Sequence, residues 1–221
     1  PTSTRVPGAS PAGHQVIAAT MGSGSSVNSV KKALQMGASS GLHLNDAALA
    51  GSDAVATSRA LAALVRHVPD ADLVITGMAS TDAETSVVPA QLAELLGFAQ
   101  LTHAASVAFD ASARELTVER DHLNQRVTLK AGLPAVLSVT DQANDPRYPN
   151  FKGIMAAKKK KIVEVDLAAI GLAAQDVGAE GSTTSVLAAE QRPARPAGTI
   201  INDSGEAGIA LVDFLAEQKL I

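Results

Sequence analysis

Apolar positions follow one rhythm up to about residue 100 and another beyond it. "QVIAATMG" (15–22) is a short β-branched and apolar run ending in glycine. After it, Val27, Val30 and Leu34 fall on one helical face that Gly37 closes, with Ser25 and Ser26 as N-cap candidates. "GLHLND" predicts a second short strand, and "DAVATSRALAALVRHV" (53–68) a second helix rich in Ala and Leu. "ADLVITG" (71–77) is apolar on both faces, as a strand of a helix-covered parallel sheet must be. The loop "MASTDAETS" then leads into a third helix, "VVPAQLAELLG", carrying Val88, Leu92, Leu95 and Leu96. Three strand–helix units in succession predict a doubly wound α/β domain.

Beyond residue 100, strands follow one another without helices: "ASVAFD", "RELTVERD", "RVTLKAG" and "PAVLSVTD". The turn-like "DASA" separates the first two. Leu116 and Val118, and Val127 and Leu129, alternate with polar neighbours. This pattern predicts antiparallel strands that extend or flank the first sheet. "IVEV" reads as one more strand. The segments at the two ends are different. Residues 1–15 hold three prolines and little apolar pattern, which predicts an irregular segment. Residues 166–221 are rich in Gly, Ala, Ser and Pro with little periodicity until the amphipathic "GIALVDFLAEQKLI", with Ile209, Val212 and Leu215 on one face. Such a segment gains little by folding on itself and suits an arm that wraps a partner. The predicted organisation is therefore 1–15 irregular, 16–165 α/β with a recognition loop at 141–161, and 166–221 arm and helix.

Composition narrows the chemistry. The 221 residues are 46% hydrophobic, enough for a core, and carry a net charge of −4, which argues against general phosphate-backbone binding. There is no cysteine, which excludes disulfides, thiolate metal sites and cysteine nucleophiles, and fits an intracellular setting. No apolar run reaches the ~20 residues of a membrane span and no leader pattern opens the chain. Tryptophan is absent, and with 2% aromatic residues a base-stacking platform is not expected. The five histidines are scattered, with no HExxH and no i, i+4 pair, so no metal site is predicted. No Ser/His/Asp set or paired carboxylates suggest hydrolysis, so no catalytic residue is assigned.

Two features remain. The loop that starts at Gly77 sits where open α/β sheets bind ligands, and it offers hydroxyls from Ser80, Thr81, Thr85 and Ser86 ahead of a helix N-terminus suited to phosphate. The bland alternative is an ordinary connection in which Asp82, Thr85 or Ser86 caps the helix. Neither GxGxxG nor GxxxxGK[ST] occurs. The second feature is "NDPRYPNFKGIMAAKKKK" (144–161), where Tyr148, Phe151, Ile154 and Met155 precede four lysines. Apolar side chains beside charges suit a docking site, the first supplying contact energy and the second steering. In isolation the lysines could equally be a solvated run.

That second stretch resembles the electron-transfer flavoprotein β-subunit signature, in which N-[ED]-P-R-[YF] is followed by I-M-x-A-K-K-K. "SVKKALQMGASSGLHL", "DLVITGMASTDAETSVVPAQLAELLG", "LTVERD" and "LPAVLSV" are also similar to segments of that family, so the likeness runs from about Val16 to the C-terminus. The resemblance implies a three-layer sandwich of the adenine-nucleotide α-hydrolase type, in a heterodimer whose α subunit holds most of the FAD. It implies a structural AMP held by Met21, Gly22, Gly77, Met78, Ala79, Ser80, Thr81, Asp82, Ala83, Glu84, Thr85, Ser86, Val87 and Val88. It implies docking of acyl-CoA-type dehydrogenases through Phe151, flanked by Pro149, Ile154 and Met155. Lys158, Lys159, Lys160 and Lys161 would complement an acidic patch or brace the loop.

The implied role is a cytoplasmic, bacterial electron carrier in fatty-acid oxidation, passing electrons to a quinone oxidoreductase and the respiratory chain, with no bond-making chemistry of its own. The first fifteen residues do not match the family's usual opening strand, Asn-Pro stretch and helix. Three readings stay open beside this one. They are FAD in place of AMP, as in electron-bifurcating relatives; a stand-alone nucleotide binder of the universal-stress type, whose late glycine loop is not found; and a nucleic-acid module using the lysines, which the acidic total disfavours.

Overall fold

The computed structural model describes residues 14–145, 148–195, 198, 200, 202–203 and 205–221. The predicted segment before His14, and Pro146 and Arg147 of the recognition loop, lie outside them. The chain forms two units, one running through Ser185 and the other Val186–Ile221.

Each predicted strand–helix unit forms. β1 (Ile17–Met21) leads through a short turn into α1 (Val27–Gln35), then β2 (Ser40–Leu44), α2 (Ala54–Arg66), β3 (Leu73–Gly77) and α3 (Val88–Leu96). Val30 and Leu34 are buried against Ala18 and Ile162, as the α1 pattern requires. The Asp53 carboxylate opens α2 by accepting from the N–H groups of Val55 and Ala56, at 3.0 and 2.9 Å. Two expectations fail locally. Neither Ser25 nor Ser26 makes a side-chain cap bond. In α3 the buried positions are Pro89, Leu92 and Ala93, while Leu95 is 38% exposed, because the helix rests on α2 and Val136 along the 89–92–93 stripe.

The second half contains β4 (Ala99–Ala104), β5 (Ser106–Asp110), β6 (Glu115–His122), β7 (Gln125–Gly132) and β8 (Ala135–Val139). β5, β6 and β7 form the predicted antiparallel sheet, with Leu116 and Val118 buried in it. β8 does not join it. It runs parallel between β3 and β4, buried at Ala135, Val136, Leu137 and Ser138, because a strand apolar on both faces belongs in a covered sheet. Gln100, Thr102 and His103 break the apolar run of β4, which the pattern therefore did not reveal. After α4 (Phe151–Ala157), β9 (Ile162–Val165) pairs with β2, giving a second parallel sheet in the order β1-β2-β9.

The layers follow from alternation along β8. Val136 faces the helices, packing with Ala62 of α2 and Leu92 and Ala93 of α3. Ala135 and Leu137 face the opposite way, packing with Leu116 and Val118 of the antiparallel sheet. The result is the expected three-layer α/β arrangement, with parallel sheets flanked by helices and an added antiparallel sheet.

The beginning of the predicted arm packs onto this unit. Leu167 and Val177 are buried beside Leu44 and Leu64, and α5 (Gly178–Gly181) follows. Asp53 then ties down the next residues, accepting from the N–H groups of Thr183 and Thr184 at 2.7 and 3.0 Å and from the Thr183 hydroxyl at 2.9 Å. In the second unit, α6 (Ala207–Glu217) exposes Ile209, Leu211, Val212 and Phe214.

Candidate functional site

β1 and β3 belong to different three-stranded sheets, yet they line common cavities with the residues at their amino ends, Gln15 from one and Asp70 and Asp72 from the other. Each strand leads at its carboxyl end into one of the two loops, at Gly22 and at Gly77. The chain winds from β1 to β2 and then crosses to β3 in the other parallel sheet, so β1 and β3 flank the point at which the chain changes sheet.

The first loop is held firmly. Met21 ends β1 opposite Leu44, and the Gly22 N–H donates to the Leu44 carbonyl at 3.1 Å. The Gly22 carbonyl can only accept, so His43 donates to it from Nε2, at 3.0 Å. His43 is 1% exposed, and its Nδ1 lies 3.6 Å from the Glu164 carboxylate. Gly22 has φ of 147°, and a Cβ there would run into the Ser26 hydroxyl. Glycine is thus favoured chiefly by conformation, and any side chain would also have to displace the Ser26 hydroxyl.

The second loop begins at Gly77, the last residue of β3. Met78, Ala79, Ser80, Thr81, Asp82, Ala83, Glu84 and Thr85 are exposed and Ser86 half-buried, and the Glu84 N–H donates to the Ser80 carbonyl at 2.9 Å. Glu84 and Ser86 take left-handed φ values of 51° and 56°. Val87 occupies the N-cap of α3 without a side-chain bond, and Val88 is the first helical residue. Asp82, Thr85 and Ser86 therefore do not cap the helix, contrary to the bland alternative. The Thr85 and Ser86 hydroxyls, and the first-turn N–H groups, remain for another acceptor. Backbone donors, hydroxyls and a glycine whose positive φ other residues avoid form a donor set that fits a phosphate-bearing nucleotide. Asp82 and Glu84 are the unfavourable charges in it.

Sequence reasoning missed the residues behind these loops. His43 was set aside with the other histidines, although its place between Leu42 and Leu44 in an apolar strand was the available signal. The Thr76 hydroxyl is buried with no partner among the described residues, just before Gly77. At the carboxyl ends of β4 and β8, the Ser138 hydroxyl accepts from the His103 N–H at 2.9 Å, and Arg120 donates to the Thr102 hydroxyl at 3.3 Å.

The recognition stretch is a helix from Phe151 onward, not a loop throughout. Asn150 caps it, its side-chain oxygen accepting from the Gly153 N–H at 2.7 Å. Gly153 lets α4 lie against the end of α1, since a Cβ there would meet the Gln35 carbonyl. Ala157 packs beside Leu34, and the Lys160 ammonium donates to the Leu34 and Ala38 carbonyls at 3.1 and 2.5 Å. Lys160 therefore braces α4 against the α1 C-terminus, while Lys158, Lys159 and Lys161 are exposed. On this support Phe151 stands 78% exposed, with Tyr148, Ile154 and Met155 also exposed and Pro149 half-buried.

A family model described as "Electron transfer flavoprotein domain" matches residues 7–170. The chain is 42% identical over 202 residues to electron transfer flavoprotein subunit beta of Mycobacterium tuberculosis, covering 91% of this chain and 75% of that protein. The chain belongs to the electron-transfer flavoprotein β-subunit family. The caffeyl-CoA reductase-Etf complex subunit CarD of Acetobacterium woodii is 31% identical over 95% of this chain and 80% of its own length. Protein FixA of Rhizobium meliloti is 34% identical over 79% of this chain and 62% of its own length. Membership makes this an electron-carrier subunit and not a catalyst in the usual sense, and a β subunit implies an α-subunit partner. No helix among the described residues is long and apolar enough to cross a membrane.

Proposed function

We propose that this chain is the β subunit of a heterodimeric single-flavin carrier that takes electrons from acyl-CoA-type dehydrogenases and delivers them to a quinone oxidoreductase of the respiratory chain. FAD, held mainly by the α subunit, supplies the redox chemistry, and this chain's residues bind, orient and dock. The reading rests on one observation above the rest: Phe151 is an exposed aromatic at the start of a helix that Asn150, Gly153 and Lys160 hold rigidly against α1. A rigid apolar anchor loses little entropy on contact, and the exposed lysines beside it raise the encounter rate without prolonging the complex.

The nucleotide loops hold a structural AMP. Gly22 and the segment from Gly77 to Val88 offer its phosphate backbone N–H groups together with the Thr85 and Ser86 hydroxyls. The exposed apolar side chains of α6 would bury against the α subunit. The similarity to a subunit of a caffeyl-CoA reductase-Etf complex supports a second reading, with FAD at the AMP position.

Co-expression with the α subunit, followed by absorbance and mass analysis of released cofactors, tests the proposal. One FAD and one AMP per heterodimer support the single-flavin carrier. Two FAD support the second reading, and a colourless chain that ignores α contradicts both.

A further inference from the structure

His43 is a titratable side chain that the sheet buries almost completely, at 1% exposure, and the carrier role proposed above gives its protons no task. Its surroundings follow from strand alternation. Leu42 and Leu44 of β2 turn toward Leu64 of α2, so His43 turns to the opposite face, where α1 lies, since a Cβ on Gly41 would meet Val30. Across the sheet His43 stands opposite Thr20 of β1 and Glu164 of β9. Glu164 is itself held: the Asn45 amide donates to its Oε1 at 3.3 Å, while its Oε2 lies 3.6 Å from His43 Nδ1.

The ring therefore sits between two acceptors. The Gly22 carbonyl is 3.0 Å from Nε2, and the Glu164 carboxylate faces Nδ1, a buried atom with no hydrogen bond of its own. Each acceptor can be satisfied only by a ring N–H. The imidazolium has two such groups and serves both. The neutral ring has one, so its tautomers are exclusive. A proton on Nε2 holds Gly22 and leaves a lone pair against a carboxylate, whereas a proton on Nδ1 serves Glu164 and abandons the carbonyl. A hydrogen bond to a charged acceptor is roughly twice as strong as one to a neutral acceptor, which favours Nδ1. Among the described residues no other charged group contacts the ring. β1 has no charged residue, Lys31 and Lys32 of α1 and Lys152 of α4 are exposed, and the Lys160 ammonium is engaged by the Leu34 and Ala38 carbonyls.

We infer that His43 and Glu164 form a proton-operated switch behind the first ligand loop. Doubly protonated, His43 ties the Gly22 carbonyl to β9 and fixes the turn. Loss of one proton takes it from Nε2, because Nδ1–H stays with the carboxylate, and the freed Gly22 carbonyl loosens the turn. Glu164 is thus a positioning residue that acts on Gly22 through the ring. The grip of the loop on a nucleotide phosphate then falls as pH rises through the His43 titration. That consequence rests on the nucleotide reading of the Gly22 loop, whereas the switch rests on the geometry of the ring alone.

Two measurements on the heterodimer test this, and the first needs no nucleotide. Ring-nitrogen NMR spectra of histidine-labelled protein, with the His43 signal identified by its absence from His43→Gln, should show both nitrogens protonated at low pH and only Nδ1 protonated at high pH. In Glu164→Gln the last proton should stay on Nε2 instead, since a glutamine amide can donate to Nδ1. The Glu164 side chain is 65% exposed, so this variant keeps the fold. The second measurement is AMP affinity by isothermal titration between about pH 5 and 8. The phosphate titrates equally in both experiments and cancels in their ratio, so native affinity should fall roughly three- to tenfold relative to Glu164→Gln across that range, the worth of one hydrogen bond. The same tautomer in the native and variant proteins would overturn the inference, as would a ratio that does not change with pH. The expected tautomers with no AMP bound by either protein would uphold the switch and sink the nucleotide reading.

Discussion

The Lys160 ammonium donates to the Leu34 carbonyl at 3.1 Å, tying the end of the lysine run to the end of the first helix. Four adjacent lysines thus divide by role, with one structural and three facing water. Lys160→Ala should cost about 1–3 kcal/mol, the range for leaving partly buried carbonyls without a charged donor. The same change at Lys158 or Lys159 should alter stability by less than about 0.5 kcal/mol. Urea denaturation of the three variants checks this ranking.

Those exposed lysines should act on rate instead. Replacing Lys158 and Lys159 by Gln should slow electron transfer from the dehydrogenase several-fold at low ionic strength and make no difference at high salt, where screening already removes the attraction. Stopped-flow reduction across a salt series measures it. A salt-independent deficit would assign these residues to contact and not to steering.

The hydrophobic pattern made α1, α2, α3 and the β6–β7 hairpin legible, because each has one buried face and one wet face. It failed for β4, whose polar residues take part in bonds across strands, and for the pairing of β8, which sits next to antiparallel strands in sequence but fills the parallel sheet. The loop after Gly77 stood out in the sequence as a glycine and hydroxyl cluster behind a strand, whereas Met21 and Gly22 entered only through the family resemblance. His43, which holds one of them from behind, was not, since a lone histidine carries no spacing signal. The role of Lys160 could not be separated from that of its neighbours before the end of α1 was placed beside it.

Asp53 provides a pH signature. Hydrogen bonds from the Ala56 N–H, and then from Thr183 and Thr184, hold its carboxyl well below the usual carboxylate range. A folded-state pKa lower than the unfolded one adds stability that is complete above the unfolded value, near 3.9, and fades as pH falls below it. Asp53→Ala should therefore cost about 1 kcal/mol at pH 7, from the lost cap, with the deficit shrinking only below about pH 4. Denaturation at several pH values checks the sign, and limited proteolysis should show faster cleavage around Thr183 in the variant.

Gly22→Ala places a methyl against Ser26 at a φ that non-glycine residues avoid. Binding of AMP to the heterodimer should weaken about tenfold, and adding Ser26→Ala should recover only part of that loss, since the backbone strain of ~1–3 kcal/mol stays. Isothermal titration measures both variants.

The central claim is that Phe151 is the dehydrogenase anchor of an electron carrier. Its most direct test is the reduction rate of the heterodimer by an acyl-CoA dehydrogenase at limiting carrier, comparing the native chain with Phe151→Ala. Loss of a central aromatic contact is worth ~2 kcal/mol or more, so the rate should fall at least tenfold while flavin content and unfolding midpoint stay unchanged. An unchanged rate at limiting carrier would contradict the account.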